Sequence, residues 1–252
     1  MQPQDLFNEG RLREAIVAQQ RHLAANPSPE ATALLCDMLG FAGRFAEIRT
    51  HMERLPAHSL WAAVIDAAEL RERTWKRPAP HFLIEPPEFI RMNVRRLNLL
   101  ADGRERAASD LFDRLQEMMP ETDGHLDGAM IRGLLEADDR FGGVVEALID
   151  GSRWCWIPFC QTKRIRMMKR ETPGQFLYSL AEFTLEDGSH HRGYIPAVYP
   201  ADYADDDDVF RLGQETDWEE LADGSTSLKG LRLWMMNDED EQAVWDWTQL
   251  DL

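Results

Sequence analysis

The stretch Arg153-Trp154-Cys155-Trp156-Ile157-Pro158-Phe159 decides how the second half of this chain folds. It is apolar and aromatic, and it follows Asp150-Gly151, a pair that favours the tight turn of a β-hairpin. We therefore predict a hairpin formed by residues 144–149 and 153–158. Trp154 and Trp156 alternate along its second strand, which places both indoles on one face of a sheet, where we interpret them as core.

Two more hairpins are predicted further along the chain. Residues 177–185 and 191–196 flank Asp187-Gly188, and residues 231–236 and 243–250 flank a polar turn at residues 237–240. Trp245 and Trp247 alternate in the last of these segments, so they are assigned to one sheet face. Short connections favour antiparallel pairing. Residues 121–252 are thus predicted to form a mainly antiparallel β domain.

The first half of the chain follows a helical period. Apolar residues recur at helical spacing over residues 9–25. Ser28 is predicted to cap the next helix, with Pro29 at its first position. Two further helices are predicted over residues 59–76 and 88–101.

An internal repeat organises these helices. Gly10-Arg11 aligns with Gly43-Arg44, 33 residues later, and Gly103-Arg104 resembles a weaker third copy. This spacing is close to the tetratricopeptide period of about 34 residues. Residues 1–120 are therefore predicted to form tetratricopeptide-like helix pairs, which makes the chain an α+β protein. A plain helical bundle with a chance Gly-Arg match is the alternative.

Stacked helix pairs leave a concave surface that suits a peptide or a helix. The first helix of each pair would line that surface. From the second pair, Asp37, Met38 and Phe41 are the candidate partner-binding residues; the alternative is that they are plain core. The expected partner is an amphipathic helix with Lys or Arg on its polar face, because the formal net charge of this chain is −17.

Composition limits the class of protein. The strong negative charge argues against binding to nucleic acid and to anionic membranes. No stretch approaches the roughly 20 apolar residues of a membrane helix, and the first residues lack a secretory signal. Three scattered cysteines fit reduced thiols. We expect a cytoplasmic protein, and the sequence leaves its oligomeric state open.

Motifs for catalysis are absent from the sequence. It contains no phosphate-binding glycine loop, no His-Glu-x-x-His and no Cys-x-x-Cys. The acidic run at residues 205–208, with His190 and His191, offers the alternative of a metal-dependent hydrolase, although such runs are usually solvated loops. We predict no enzyme activity, no cofactor and no metal site. A structural assembly subunit without a peptide groove is the other alternative.

Five phrases stand out in the second half of the chain: Glu136-Ala137-Asp138-Asp139-Arg140-Phe141-Gly142, Glu146-Ala147-Leu148-Ile149-Asp150-Gly151, Trp156-Ile157-Pro158-Phe159, Ile195-Pro196-Ala197-Val198-Tyr199-Pro200 and Arg211-Leu212-Gly213-Gln214-Glu215-Thr216-Asp217-Trp218. In order and spacing they resemble the ImpE/TagJ family of bacterial type VI secretion accessory proteins, and Glu85-Pro86-Pro87 also fits. Residues 163–174 are less similar to the family and are interpreted as an insertion-like stretch.

The resemblance implies a cytoplasmic, non-enzymatic accessory factor that is associated with the contractile sheath. Some members of this family bind the N-terminal helix of the small sheath subunit, the TssB or VipA type. The resemblance therefore implies that subunit as the partner here. It also implies an influence on sheath recycling by the ClpV-type ATPase.

Overall fold

The computed structural model describes residues 2–204, 207–237 and 240–252 as an α+β fold in which helices come first. The helices of the first half are α1 (Pro3–Asn8), α2 (Leu12–Ala25), α3 (Pro29–Phe41), α4 (Phe45–His51), α5 (Leu60–Thr74), α6 (Glu88–Ala101) and α7 (Glu105–Met118), with a 3-10 turn at Met52–Arg54. The predicted fold class and the predicted helix-first order are confirmed.

Strands make up most of the ordered structure after α7. They are β1 (Gly124–Leu126), β2 (Ala129–Ile131), β3 (Leu135–Glu136), β4 (Val144–Ile149), β5 (Arg153–Pro158), β6 (Thr162–Met167), β7 (Tyr178–Leu185), β8 (His190–Pro196), β9 (Thr216–Glu220), β10 (Thr226–Gly230), β11 (Leu233–Met236), β12 (Asp240–Ala243) and β13 (Gln249–Asp251). Two short helices lie among them: α8 (Pro173–Leu177) and α9 (Asp208–Arg211).

The sequence repeat corresponds to three copies of one helix-to-helix turn. Gly10, Gly43 and Gly103 have φ of 81°, 67° and 69°, a left-handed conformation that glycine adopts without a steric cost. In each copy the arginine after the glycine donates its N–H to the carbonyl five residues earlier, at 2.9 Å. This bond closes a Schellman turn and satisfies the end of the first helix. The helical half is therefore compatible with tetratricopeptide-like pairs.

Capping residues set where α3 and α5 begin. Ser28 accepts the N–H of Ala31 at 3.0 Å, and Pro29 occupies the first position of α3, as the sequence predicts. Ser59 caps α5 in the same way, accepting the N–H of Ala62 at 3.3 Å. A side-chain oxygen that accepts a free N–H at a helix start commonly stabilises the helix by about 1 kcal/mol.

Eight antiparallel strands form the main sheet, in the order β2-β1-β13-β6-β7-β8-β4-β5. The hairpins β4–β5 and β7–β8 are confirmed, with Ile149 opposite Arg153 and Thr184 opposite His190 at their tips. Smaller sheets are formed by β9 with β10, and by β3 with β11 and β12.

The structure corrects the interpretation of residues 163–174 as an insertion-like stretch. Most of its first half is β6, which lies inside the main sheet between β13 and β7. The strand escaped prediction because charged residues break its apolar pattern. Arg164 pairs with Asp251, and Arg166 pairs with Glu182, each across to a neighbouring strand. Only every second or third side chain of β6 is buried.

The predicted strand over residues 243–250 is wrong. The chain turns after β12, and β13 then joins the main sheet beside β6. Trp247 is buried and lies 4.7 Å from Trp234, whereas Trp245 donates to the carbonyl of Phe176 at 2.7 Å. Both tryptophans lie in a turn rather than in a strand, so their side chains point in different directions. The alternation therefore assigned them to one sheet face incorrectly. Part of the predicted turn, residues 238 and 239, lies outside the described residues.

The main sheet is buried on both faces. Trp154 and Trp156 pack toward the helices with Trp61, as the alternation in β5 predicts for core residues. Cys155 packs on the opposite face with Trp234. The first of these two cores runs without a break from the helices into the strands. We propose residues 1–120 and 121–252 as two units, separated between α7 and β1, that share this core.

Gly40 provides a test of the packing between α3 and α5. A Cβ at Gly40 would lie 1.9 Å from Cη2 of the buried Trp61. We expect Gly40→Ala to lower the free energy of unfolding by about 1–3 kcal/mol. We expect this loss even though alanine is more favourable than glycine in a helix by roughly 1 kcal/mol. Urea unfolding measures the difference.

A double-mutant cycle is the control for this test. In a Trp61→Leu background the clash is removed, so Gly40→Ala should cost clearly less there than in the parent. Equal costs in the two backgrounds would show that the indole is not the obstacle.

Candidate functional site

The structure buries all three side chains that the sequence nominates for partner binding. Asp37, Met38 and Phe41 are 5%, 0% and 6% exposed. Asp37 accepts a hydrogen bond from Nε1 of Trp61 at 2.8 Å, and burial raises the pKa of its carboxyl. Phe41 packs edge-on against Phe7, with ring centroids 5.3 Å apart. In this structure the three residues stabilise the fold.

Asp37 is covered because parts of the strand half pack directly on the helices. α8 packs on α3, and α5 packs on β4 and β5. A Cβ at Gly174 of α8 would lie only 2.3 Å from Oδ1 of Asp37, so the two helices are in close contact. A partner could reach Asp37 only if α8 moved away from α3. Their role in partner binding stays a prediction.

A buried carboxylate, Glu146, joins the two halves. Arg71 of α5 donates to it through Nε at 2.7 Å and Nη2 at 3.0 Å. Trp154 donates Nε1 at 2.5 Å, and Arg232 adds a further bond. Burial alone would raise the pKa of Glu146, but the two guanidinium groups hold it below its usual value. Arg71 also donates to the Val198 carbonyl at 2.8 Å.

The network continues from Arg232 to a second buried carboxylate. Arg232 donates Nη1 to Glu136 at 2.7 Å and Nε to the carbonyl of Pro196 at 3.1 Å. The hydroxyl of Tyr199 donates to Glu136 at 2.6 Å. The guanidinium of Arg232 also lies over the ring of Phe141, 4.6 Å from its centroid. Each of its polar groups thus meets a partner inside the core.

Two more buried ion pairs fix the loop that follows β3. Arg140 holds Asp138 through Nε at 2.9 Å and donates Nη2 to the carbonyl of Leu228 at 2.7 Å. Arg96 of α6 donates Nη1 to Asp223 at 2.8 Å. Arg140 pairs with Asp138, and Arg232 pairs with Glu136, so each of these buried guanidinium groups has a carboxylate beside it.

Hydrogen-bond saturation decides what this network can do chemically. The oxygens of Glu146 already accept four donors, so none is free to hold a metal or to take a proton from a substrate. Within the described ranges no group of three His, Cys, Asp or Glu side chains could hold a metal ion. Of the acidic run, residues 205 and 206 lie outside the described residues. We call Glu146, Glu136, Arg71 and Arg232 the clamp, because their ion pairs have a structural role and link the two halves of the chain.

Sequence reasoning missed Arg71 and Arg232, the two cations of the clamp. Signals for both were present. Arg71 falls three residues after Ala68 on the apolar stripe of α5, and Arg232 interrupts the apolar run from Leu231 to Met236. A lone arginine on an apolar face needs a buried acid as its partner. The sequence does not say which acid, because Arg71 and Glu146 are 75 residues apart.

An open cleft lies on the outside of the helical half, where α2, α3 and α4 meet. Its volume is about 650 Å³, and its surface is more apolar than polar. Leu23 and Leu35 form the buried floor, and Ala24 is an exposed residue at its side. His51 lines the cleft with Nδ1 buried and without a hydrogen-bond partner in the described structure. Burial lowers the pKa of His51, so the imidazole is neutral near pH 7.

Charge is divided unevenly between the two halves. Residues 1–120 carry 16 basic and 17 acidic residues, so this half is close to neutral. Residues 121–252 carry 12 basic and 28 acidic residues, which accounts for nearly all of the net charge of −17. Electrostatic attraction for a basic partner is therefore a property of the strand half.

The fold and the clamp define a class of protein: a set of helix pairs that pack against an antiparallel β half of the same chain. The crystal structure of protein VPA1032 from Vibrio parahaemolyticus has this fold, with a TM-score of 0.88 at 19% identity. The match covers 100% of this chain and 97% of that protein. No helix among the described residues combines the length and apolar character needed to cross a membrane.

Sequence comparison then identifies the family. The ImpE protein family model matches residues 128–251. The type VI secretion system accessory component TagJ of Pseudomonas aeruginosa is 29% identical over 261 aligned positions, which cover 98% of this chain and 90% of that protein. The resemblance to the ImpE/TagJ family that was drawn from the five phrases is confirmed.

The first prediction from the clamp concerns Arg71. Arg71→Met leaves Glu146 buried with fewer positive partners, so the free energy of unfolding should fall by about 3–5 kcal/mol. Arg49→Met is the matched control, because Arg49 pairs with Asp66 and Glu69 at the surface. That change should cost less than about 1 kcal/mol. Similar losses in urea unfolding of the two variants would show that Glu146 does not depend on Arg71.

The second prediction concerns pH. Burial raises the pKa of Glu136 to about 7, from 4.5 when the side chain is unperturbed. Between these values the folded protein keeps a proton that the unfolded chain has lost. This contribution to stability is therefore complete below pH 4.5 and declines as the pH rises to about 7. The slope is at most about 1.4 kcal/mol per pH unit.

Glu136→Gln removes this titrating group and keeps the shape of the side chain. Urea unfolding from pH 4.5 to 8 should show a flatter decline with rising pH for the variant than for the parent. An identical slope would mean that Glu136 is ionised in the folded protein throughout this range.

Proposed function

We propose that this protein is an accessory component of a type VI secretion system and binds an amphipathic helix of the small contractile-sheath subunit in the cytoplasm. The accessory role is supported by one observation above all. A protein named as a type VI secretion accessory component aligns over 98% of this chain. By holding that helix, the protein would modulate sheath recycling by the ClpV-type ATPase.

A non-catalytic role is consistent with the family name and with the clamp. The buried acids of the network are held by arginines, indole groups and a tyrosine rather than exposed in an active-site pocket. The alternative of a metal-dependent hydrolase gains no support from the described residues, where no metal-binding group occurs. Partner binding therefore has to be sought on the outer surface.

The cleft between α2, α3 and α4 is our proposed site for the sheath helix. It lies in the helical half, as the repeat predicts, but on the outer side rather than on the covered face of α3. Apolar anchors of the partner would rest on Leu23 and Leu35. The buried Nδ1 of His51 offers a hydrogen bond to a polar group on the same helix.

Apolar contact, not charge, should dominate at this cleft. The helical half is nearly neutral, and Arg54 at the edge of the cleft is itself a cation. The expected basic face of the partner helix would therefore point away from the cleft. Buried apolar anchors usually carry most of the affinity of such a contact, each costing roughly 2 kcal/mol or more when truncated.

Ala24 provides the test. It is exposed at the side of the cleft, so Ala24→Arg should leave the fold intact while it fills the space and adds a charge. We expect binding to the purified small sheath subunit to weaken at least about tenfold, equivalent to about 1.4 kcal/mol. Isothermal titration calorimetry measures the affinity, and circular dichroism checks the fold.

Ala62→Arg is the matched control, since Ala62 is an exposed alanine on α5, away from the cleft residues. It should bind like the parent. If Ala24→Arg also binds like the parent, the cleft is not the site. If the parent itself fails to bind the sheath subunit, the proposed partner is wrong.

A further inference from the structure

β9 has one edge that the protein leaves open. Two main-chain N–H groups of its partner, β10, point away from β9 and toward the loop after β3. There the N–H of Leu228 bonds Asp138 at 2.8 Å, and the N–H of Thr226 bonds Asp139 at 2.7 Å. The N–H groups of Leu228 and Thr226 therefore do not bond to β9. This pattern fixes which groups of β9 face outward.

Trp218 and Glu220 lie opposite Leu228 and Thr226 in the antiparallel ladder. In such a ladder, opposed residues either bond each other or both point away. The main-chain groups of Trp218 and Glu220 must therefore point away from β10. The N–H of Trp218 meets only a carboxylate oxygen of its own neighbour, Asp217, at 2.9 Å. No strand among the described residues pairs with this edge.

The side chains of β9 are unusually exposed for a strand that contains a tryptophan. Residues 217–220 are all exposed, and Trp218 reaches 70% exposure, the highest value among the exposed large apolar side chains of the described chain. Acidic residues on an edge strand can guard against self-association, which accounts for Asp217, Glu219 and Glu220. That explanation does not cover Trp218, because an exposed indole promotes association.

A small cleft adjoins the strand. Its volume is about 290 Å³, and Trp75 and Trp218 line it together with Asp202 and Glu219. Arg140 also lines the cleft, and its guanidinium lies 5.2 Å from the ring centroid of Trp75. Two lysines lie in this region as well: Lys76 pairs with Asp202, and Lys229 lies 3.6 Å from Asp217. A further cationic side chain would therefore use the exposed indole of Trp218, since the faces of aromatic rings attract cations.

Charge favours a basic occupant even with these lysines in place. The described stretch from Glu215 to Glu220 contains four acids and no lysine or arginine. It belongs to the half of the chain in which acids outnumber bases by 28 to 12. A positively charged segment would be drawn to this surface and would meet outward-facing main-chain groups there, where it would replace the Asp217 carboxylate at the N–H of Trp218.

We propose that the open edge of β9 binds an extended, basic segment of a partner protein by strand addition. The main chain of that segment would bond to Trp218 and Glu220, and a Lys or Arg side chain would lie over the exposed indole of Trp218 beside the cleft. This surface is separate from the helix-binding cleft of the other half. The inference does not depend on the identity of the sheath partner.

A labelled octapeptide of alternating Arg and Thr is the probe, titrated into the full-length protein at low salt with fluorescence anisotropy as the readout. We expect saturable binding that weakens as salt is raised. Trp218→Ala should weaken it at least about tenfold. Glu220→Pro removes an outward N–H and should weaken it as well. Met130→Ala is the control, because Met130 is 65% exposed on a different strand.

The probe itself supplies a second test that does not depend on any variant. N-methylation of every peptide residue removes all of its main-chain donors, so strand addition requires that this peptide lose binding. The proposal is overturned if the unmodified octapeptide does not bind, if the N-methylated peptide binds equally well, or if Trp218→Ala has no effect. Preference for a helical Lys-Leu peptide at Trp218 would also overturn it.

Discussion

The structure depends on one buried carboxylate, Glu146, and the two arginines that neutralise it. An ionised acid in a protein core is costly unless it is paired and fully hydrogen-bonded. Arg71 comes from a helix and Arg232 from the chain between β10 and β11, so Glu146 acquires both partners only when the two halves dock. The ion pairs thereby fix how the halves dock, a geometry that apolar contacts alone specify less sharply.

That docking explains where a partner can bind. In a helical-repeat protein the concave face is the usual place for a ligand. Here the strand half packs on these helices, with α8 against α3 and the sheet against α5. This contact buries Asp37 of α3. Surfaces for other proteins are left on the outside of the helices and along the edges of the strands.

The sequence predicts local features well and long-range ones poorly, for a physical reason. The turn at Gly43 and the hairpin at Asp150-Gly151 are set by a few adjacent residues, so their chemistry is legible in the chain. β6 is stabilised by cross-strand pairs such as Arg166 with Glu182, which the local pattern does not reveal. The covered face of α3 likewise follows from docking with α8, a contact between segments more than a hundred residues apart.

Because charge is distributed unevenly, apolar contacts should dominate at one outer surface and electrostatic attraction at the other. The cleft beside Leu23 lies in a nearly neutral half and is suited to apolar anchors, whose contribution salt screens little. The edge at Trp218 lies in an acidic half, where association with a basic segment is fast at low salt and slows as salt rises. Two such surfaces on one protein would allow it to hold two segments of one assembly at once. The second contact then forms at the high effective concentration that the first one imposes, so weak individual contacts suffice for a stable but reversible association.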